Sequence, residues 1–447
     1  MIMQHKCFWT WDHSTNWCHN TPGKQSVGAN NEYTKRPETF LRDYQRVIDW
    51  TAANGITGIT VAGLLRDCHG GVDYARKIAT YAKQKNVRLL LCTGLLAYGG
   101  IYHDGDHPYS LERFLAENPQ CLALRDGKPL LVHIPSACGS IYGTKKVAHA
   151  CPSHPEVQTF VQDSLRWLFQ AIPELGGVQM ETGDTGICTC DACRKRRQFP
   201  VNDHAHLSFE DMAMYYPMCV EAVLSTKPDA QVICETYSHF NTDPNARQTF
   251  GDRILPWAIE KFQKTLPRGI LMQWVCDYWL DGDKRWKPSD KMPLTNQKHI
   301  MRTHYGTYWP PNSRHKLSLE EIRKYCSLSA AAGFAGVSMF GEGSPFHPNT
   351  EFNYLALVYF ADHPHATVAD FAAEIMAPKL GGEEYAAQYI KMENNGIADP
   401  NSINESVNKI SLFVATLPHD TARRWHWLAS YLHSFQWEAE AKTRDKF

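Results

Sequence analysis

The sequence predicts an α/β fold: a (β/α)8 barrel with long βα loops and a C-terminal helical appendage. Three observations predict it. Eight short apolar runs alternate with amphipathic helical stretches from Cys7 to Gly343, the pattern of parallel strands joined by crossover helices. No G-x-G-x-x-G follows the first run and no P-loop occurs anywhere, which argues against a doubly wound nucleotide-binding sheet. From about Ala366 the pattern becomes helical only, through "TVADFAAEIMAPKLGG" to a Trp-rich stretch near Trp425 to Trp437. The 447 residues and 50.9 kDa accommodate this plan, with a barrel over 1–365 and a helical region over 366–447.

The first strand is read at Cys7 to Trp11, in "CFWTWDHS", where aromatic residues favour extended backbone. Phe40, Leu41, Tyr44, Val47 and Ile48 then share one helical face, with Gly55 as a stop, and Gly58 to Val61 forms the second strand. Val72, Ala75, Ile78, Ala79 and Ala82 mark the next helix, and "VRLLLCTG" (87–94) is an apolar run suited to a strand buried on both sides. "CLALRDGKPLLVHIP" (121–135) reads as a hairpin turning at Asp126-Gly127, an insertion over the barrel mouth. A helix carrying Val157, Phe160, Val161, Leu165 and Leu168 precedes strand four in "GGVQMETGD" (176–184). A helix near Glu210 to Ser225 precedes "QVICETYSH" (231–239). The later strands are "GILMQWVCDYW" (269–279), "HIMRTHYG" (299–306) and, after a helix at Leu319 to Ala332, "AGVSMFGEG" (335–343).

Composition narrows the partners. With 46 basic and 47 acidic side chains the net charge is -1, so no global field favours nucleic acid or an anionic membrane. The N-terminus lacks a basic region followed by an apolar one, and no apolar run approaches a membrane span, so the expected location is cytoplasmic unless a signal has been removed. A homodimer is left open. The 13 Trp, 20 Tyr and 19 Phe suit both a large core and ligands with one apolar face and many hydroxyls.

Barrel enzymes carry their chemistry at the C-terminal ends of the strands. There the sequence places Asp12 and His13 after strand one, Glu181 and Asp184 at strand four, Glu235 and His239 at strand five, Asp277 at strand six and Glu342 at strand eight. We count Trp274, on the sixth strand, with His13, Glu181, Asp184, Glu235 and Glu342 as substrate-binding. His133 ends the second arm of the hairpin. In "CTCDAC" (188–193), Cys188, Cys190 and Cys193 suggest zinc but need a fourth ligand; Cys151 or a histidine such as His204 could complete it, and packed thiols are the preferred expectation. The first strand has no H-x-H pair, which favours metal-free, cofactor-free acid–base chemistry.

The loop "METGDTGICTCDACRKR" (180–197) resembles those of carbohydrate-active barrels, and "FNYLALVYFADHPHATVADFAAEIM" (352–376) resembles the closing helix of such barrels and the segment after it. Retaining families of that group place a second glutamate on strand seven, and "HIMRTHYG" has none. The narrower resemblance is to the inverting exo-sialidases of glycoside hydrolase family 156, which use an Asp at the first strand and a His well over a hundred residues later; Asp12 and His133 match in type, order and approximate spacing. The resemblance implies release of terminal sialic acid from sialylated glycans, with Asp12 as the base that activates water and His133 as the acid. An Asp of pKa about 4 is ionised near neutrality, and a His of pKa about 6.5 can donate its proton in mild acid. Another glycosidase of hexosaminidase-like or glucuronidase-like type, using Glu181 with Asp184 or Glu342, and a non-catalytic sugar-binding barrel are the other readings. Arg194 and Arg302 are two cations that could meet the substrate carboxylate, and the sequence does not choose between them.

Overall fold

The computed structural model describes residues 3–11, 36–133, 146–182, 186–197, 207–236, 256–275, 296–303, 315–340 and 345–444. Eight parallel strands close into a barrel: β1 (His5–Trp11), β2 (Gly58–Ala62), β3 (Arg88–Thr93), β4 (Gly177–Met180), β5 (Gln231–Glu235), β6 (Leu271–Val275), β7 (Lys298–Thr303) and β8 (Gly336–Phe340). Each pairs with its neighbours in sequence, and β1 closes the ring against β8 with His5 opposite Gly336 and Trp9 opposite Phe340. All eight strands fall where the apolar runs predict them.

The run-like character of the strands follows from burial on both faces; all five residues of β2 are buried. Side chains alternate between the barrel interior and the helical layer. Leu90, Ile233, Leu271 and Ile300 form an apolar plug inside, whereas Leu89, Leu91, Val178, Val232, Met272 and Met301 join the larger core beneath the helices. Where β4 meets β5, a Cβ on Gly177 would collide with the backbone carbonyl of Gln231, so the strands approach this closely only over a glycine.

The helices are α1 (Pro37–Ala53), α2 (Gly71–Gln84), α3 (Leu111–Glu117), α4 (Pro155–Ala171), α5 (Asp191–Arg196), α6 (Phe209–Thr226), α7 (Pro256–Thr265), α8 (Leu319–Ala331) and α9 (Pro348–Asp362). Proline stands in the first turn of α1, α4 and α9, where its missing N–H costs nothing. Ser208 and Asp211 form a capping box on α6. Helix α9 is buried on nearly every side. It stacks Tyr354 on Phe8 of β1 at 5.2 Å, and Asp362 pairs with Lys6 at 2.7 Å.

Beyond residue 366 the chain is helical, as expected. A run over 368–380 contains a π turn at Ala372–Met376, followed by α10 (Glu383–Ala398), α11 (Ile403–Phe413) and α12 (His419–Arg444). This region is built onto the barrel through buried polar contacts. Arg424 grips Glu351 of α9 with two hydrogen bonds of 3.1 and 3.0 Å. Glu393, wholly buried, accepts from the Leu317 backbone N–H at 2.9 Å and from the Asn349 amide at 3.3 Å. Among the described residues no helix is long and apolar enough to cross a membrane.

Candidate active site

Two residues along from the apolar plug, on the same strands and toward their C-terminal ends, the barrel interior turns polar. Leu90 is followed inward by Cys92, Ile233 by Glu235, Leu271 by Gln273 and Ile300 by Arg302. Arg302 donates to Glu235 and lies 4.0 Å from Glu181, which directly follows β4. Gln273 donates to the same Glu235 oxygen at 3.3 Å, and the Cys92 thiol donates to Glu181 Oε2 at 3.3 Å. The guanidinium also lies over the Trp9 ring, 5.4 Å from its centre.

Burial explains this arrangement. Glu235 is 0% exposed, Arg302 2% and Glu181 5%. Charges so desolvated persist only when paired and hydrogen-bonded. The planar fork of arginine suits a position between two carboxylates. Burial, and then the neighbouring Glu181 carboxylate, push the Cys92 thiol well above its ordinary pKa, which keeps it the S–H donor that Glu181 needs. Gln179, between Cys92 and Glu181 on the barrel wall, is 1% exposed, and neither atom of its amide has a partner among the described residues. Its hydrogen-bonding capacity remains for water or a ligand. Glu181, 5% exposed, stands nearest to solvent of the three charges, so it is the one placed to accept from a ligand hydroxyl or to exchange a proton.

The loops above this layer come from the long βα connections. After β3 the chain enters a buried turn in which Leu95 and Tyr98 both hold φ of 53°, a left-handed conformation that non-glycine residues adopt at a cost. The expected hairpin is present: Leu124–Arg125 pairs antiparallel with Lys128–Pro129 across Asp126 and Gly127, at φ of 51° and 77°, a geometry that Asp-Gly supplies well. His133, however, does not end that hairpin's second arm as expected: it ends a separate strand, Leu131–His133, paired antiparallel with Lys146–Ala148 and with His133 opposite Lys146. Both ladders lie in the β3–α4 connection, hence at the C-terminal end of the barrel.

Of the residues the sequence singled out, the structure brings Glu181 and Glu235 together through Arg302. The His133 backbone ends its ladder strand; its side chain lies outside the described residues. So do Asp12, His13, Asp184, Glu342, His239 and Asp277. The described part of β1 ends at Trp11, immediately before Asp12. Trp274 is corrected: it alternates with the inward Gln273, is 0% exposed, belongs to the core beneath the helices and donates to His299 Nδ1 at 3.0 Å. It faces away from the bowl and cannot stack on a ligand there. Of the two arginines, Arg302 is engaged by Glu235, and Arg194 is exposed and pairs with Asp126 at 3.2 Å. Cys92, Gln179 and Gln273 were not foreseen. Their signal is parity: each is a polar residue on the inward step of an otherwise apolar strand.

The thiols of the cysteine loop are packed, as expected, and Cys151, one of the two fourth partners considered, joins them. Cys151, from the segment before α4, meets Cys188, Cys190 and Cys193, and the four sulfur atoms lie within 4.8 Å of one another. His204, the other ligand considered, lies outside the described residues.

The closed ring of strands defines a (β/α)8 barrel, with a buried polar layer toward the C-terminal ends of its strands. No protein-family model matches the chain, and no curated protein matches it in sequence. Among solved structures it is similar to an α-amylase from Geobacillus thermoleovorans, with 12% identity, 81% of this chain and 79% of that one covered, and a TM-score of 0.43. It is also similar to a glycoside hydrolase family 20 β-N-acetylglucosaminidase (11%, 86% and 75%, TM-score 0.46). A third is the β-mannanase from the blue mussel Mytilus edulis (10%, 81% and 93%, TM-score 0.42). The likeness is one of fold.

Proposed function

We propose that the protein is a glycoside hydrolase, specifically an inverting exo-α-sialidase that releases terminal sialic acid from sialylated glycans. The observation that most supports this reading is connectivity at the barrel mouth. Asp12 comes directly after the described end of β1 in the sequence, and His133 ends a ladder strand in the β3–α4 connection; positions that follow the C-terminal ends of barrel strands are where barrel enzymes act, which supports this reading. In this reading the Asp12 carboxylate takes a proton from a water molecule, the water oxygen bonds to the anomeric carbon, and the glycosidic bond breaks as His133 protonates the leaving oxygen. A protonated imidazole is attracted to the carboxylate that a sialoside carries at the reacting carbon, where a second carboxyl acid would be repelled. Glu181, with His13, Asp184 and Glu342, would hold sugar hydroxyls; Glu235 would act at one remove, by fixing Arg302.

Hydrolysis of a chromogenic sialoside tests the proposal, with proton NMR identifying the first-formed sugar. A first-formed β anomer from an α-sialoside is expected; a first-formed α anomer would rule out the single displacement. One observation favours a second reading: Glu181, directly after β4, is more exposed than its buried neighbour Glu235 (5% against 0%). A hexosaminidase-like or glucuronidase-like enzyme using Glu181 would leave sialosides intact and cleave the corresponding hexosaminides or glucuronides. Sugar binding without turnover of any of these would indicate a binding barrel.

A further inference from the structure

We infer that Cys151, Cys188, Cys190 and Cys193 bind a single structural zinc ion. The inference stands apart from the choice of substrate. Cys151 Sγ lies 3.6 Å from each of the other three sulfurs. A tetrahedron of thiolates around zinc, with Zn–S near 2.3 Å, has an edge of about 1.6 times that length, or about 3.8 Å. A disulfide would instead bring two sulfurs to about 2.05 Å and leave the others apart. One sulfur equidistant from three others is the geometry of a shared central ion. A polynuclear iron–sulfur cluster would hold them farther apart.

The surroundings fit thiolates. The Leu124 backbone N–H points at Cys188 Sγ at 3.3 Å, Ser153 Oγ lies 3.0 Å from Cys193 Sγ, and Arg196 reaches the same sulfur at 3.5 Å. Arg196 and Arg197 both pair with the buried Asp211. Two guanidiniums against one carboxylate leave a positive charge beside the sulfurs, which offsets a dianionic tetrathiolate centre. Cys151, Cys188 and Cys193 are buried and Cys190 is half-buried, so all four positions are taken by protein and none is open for water, as in structural rather than catalytic zinc sites.

The ion would tie two mouth loops together. Cys151 belongs to the strip that returns from the His133 ladder, where Cys151 N–H donates to Cys121 O. The other three thiols belong to the loop after β4, close behind Glu181. Ala123 and Leu130 of the hairpin pack on the same sulfurs. The cluster therefore joins the β3–α4 insertion to the strand end that carries the Glu181 carboxylate.

The test uses the full chain as purified. Metal analysis should find one zinc per chain, the ion should be released to a chromogenic indicator on adding an organomercurial, and cobalt exchange should give the intense visible bands of a tetrahedral thiolate site. Cys190→Ser should lose the zinc, and Cys190→His, which keeps a ligand, should retain it. Should Cys190→Ser fail to fold, the wild-type stoichiometry and the cobalt spectrum decide the matter alone. A metal-free wild-type chain in which Cys151, Cys188, Cys190 and Cys193 all react as free thiols, a disulfide among them by mass spectrometry, or stoichiometric iron in place of zinc would each overturn the inference.

Discussion

Arg302→Met probes the polar layer of the barrel most directly. The substitution conserves much of the side-chain volume but takes the guanidinium from Glu235, 0% exposed, while the Gln273 amide still donates to it. Removing one partner of a buried ion pair costs about 3–5 kcal/mol, because the remaining charge stays desolvated. Loss of the contact with Trp9 adds about 0.5–2 kcal/mol. Melting temperatures fall by about 2–4 °C per kcal/mol for chains of some 200 residues and by roughly half that at twice the size, so Arg302→Met should melt about 4–14 °C below wild type. Adding Glu235→Gln removes the stranded charge and keeps an acceptor for Gln273. The double variant should therefore be more stable than Arg302→Met alone, although it carries one more substitution. Urea and thermal unfolding followed by circular dichroism supply the cycle. A double variant whose losses simply add, or an Arg302→Met protein within about 1 kcal/mol of wild type, would refute the argument that this pair is held by mutual desolvation. The same variants separate two roles for Arg302. If it held a substrate carboxylate, KM would rise alike in both; if it serves to neutralise Glu235, KM should recover in the double variant along with stability.

Other expectations concern separate parts of the molecule. Burial raises the Glu393 carboxyl to about 8, so the folded state holds a proton that the unfolded chain has released above about 4.5; stability should fall as pH rises between those values, by at most about 5 kcal/mol at about 1.4 kcal/mol per unit. The melting temperature of Glu393→Gln minus that of wild type should climb from pH 5 to pH 8, and a flat or falling difference would show that Glu393 is ionised in the fold. Gly177→Ala should destabilise the barrel by about 2 kcal/mol or more through overpacking, because its Cβ meets the rigid Gln231 carbonyl; unfolding in urea would read it, and an unchanged midpoint would contradict the close approach. Asp12→Ala and His133→Ala should each cut kcat on a natural sialoside by about 10²-fold or more, and only His133→Ala should recover with an activated phenol leaving group. Equal losses on both substrates would remove His133 from the acid's role.

Much of this architecture could be read from the sequence because barrel strands buried on both faces leave continuous apolar runs. "GITVA" and "RLLLCT" match β2 and β3, and even the weakest candidate, "HIMRTHYG", contains β7. Helix α7, "PWAIEKFQKT", escaped although its apolar residues recur at helical spacing, because at ten residues it is shorter than the stretches that a periodic pattern reliably picks out. Glu181 and Glu235 were legible as acids that end apolar runs. Trp274 was misread by residue type, although parity alone corrects it: if Glu235 faces inward, its neighbour Gln273 does too, and the next residue must face the helices.

Cys151 marks a different boundary of what spacing can tell. The C-x-C-x-x-C stretch supplies three thiols locally, because Cys190 caps α5 and Cys193 stands in its first turn. The fourth is 37 residues away from Cys188, on the far side of α4 and β4. Nothing in the intervening sequence specifies that α4 returns antiparallel to the strand and so brings the start of the helix beside the end of β4. That follows from the barrel itself: in a βαβ unit the residues before a crossover helix and those after the next strand share one end of the sheet. Once the barrel is accepted, a cysteine just before α4 and three just after β4 must occupy the same rim. The topology thus links the hairpin insertion to the Glu181 loop before any metal is considered, and a bound zinc would hold fixed a proximity that strand order has already imposed.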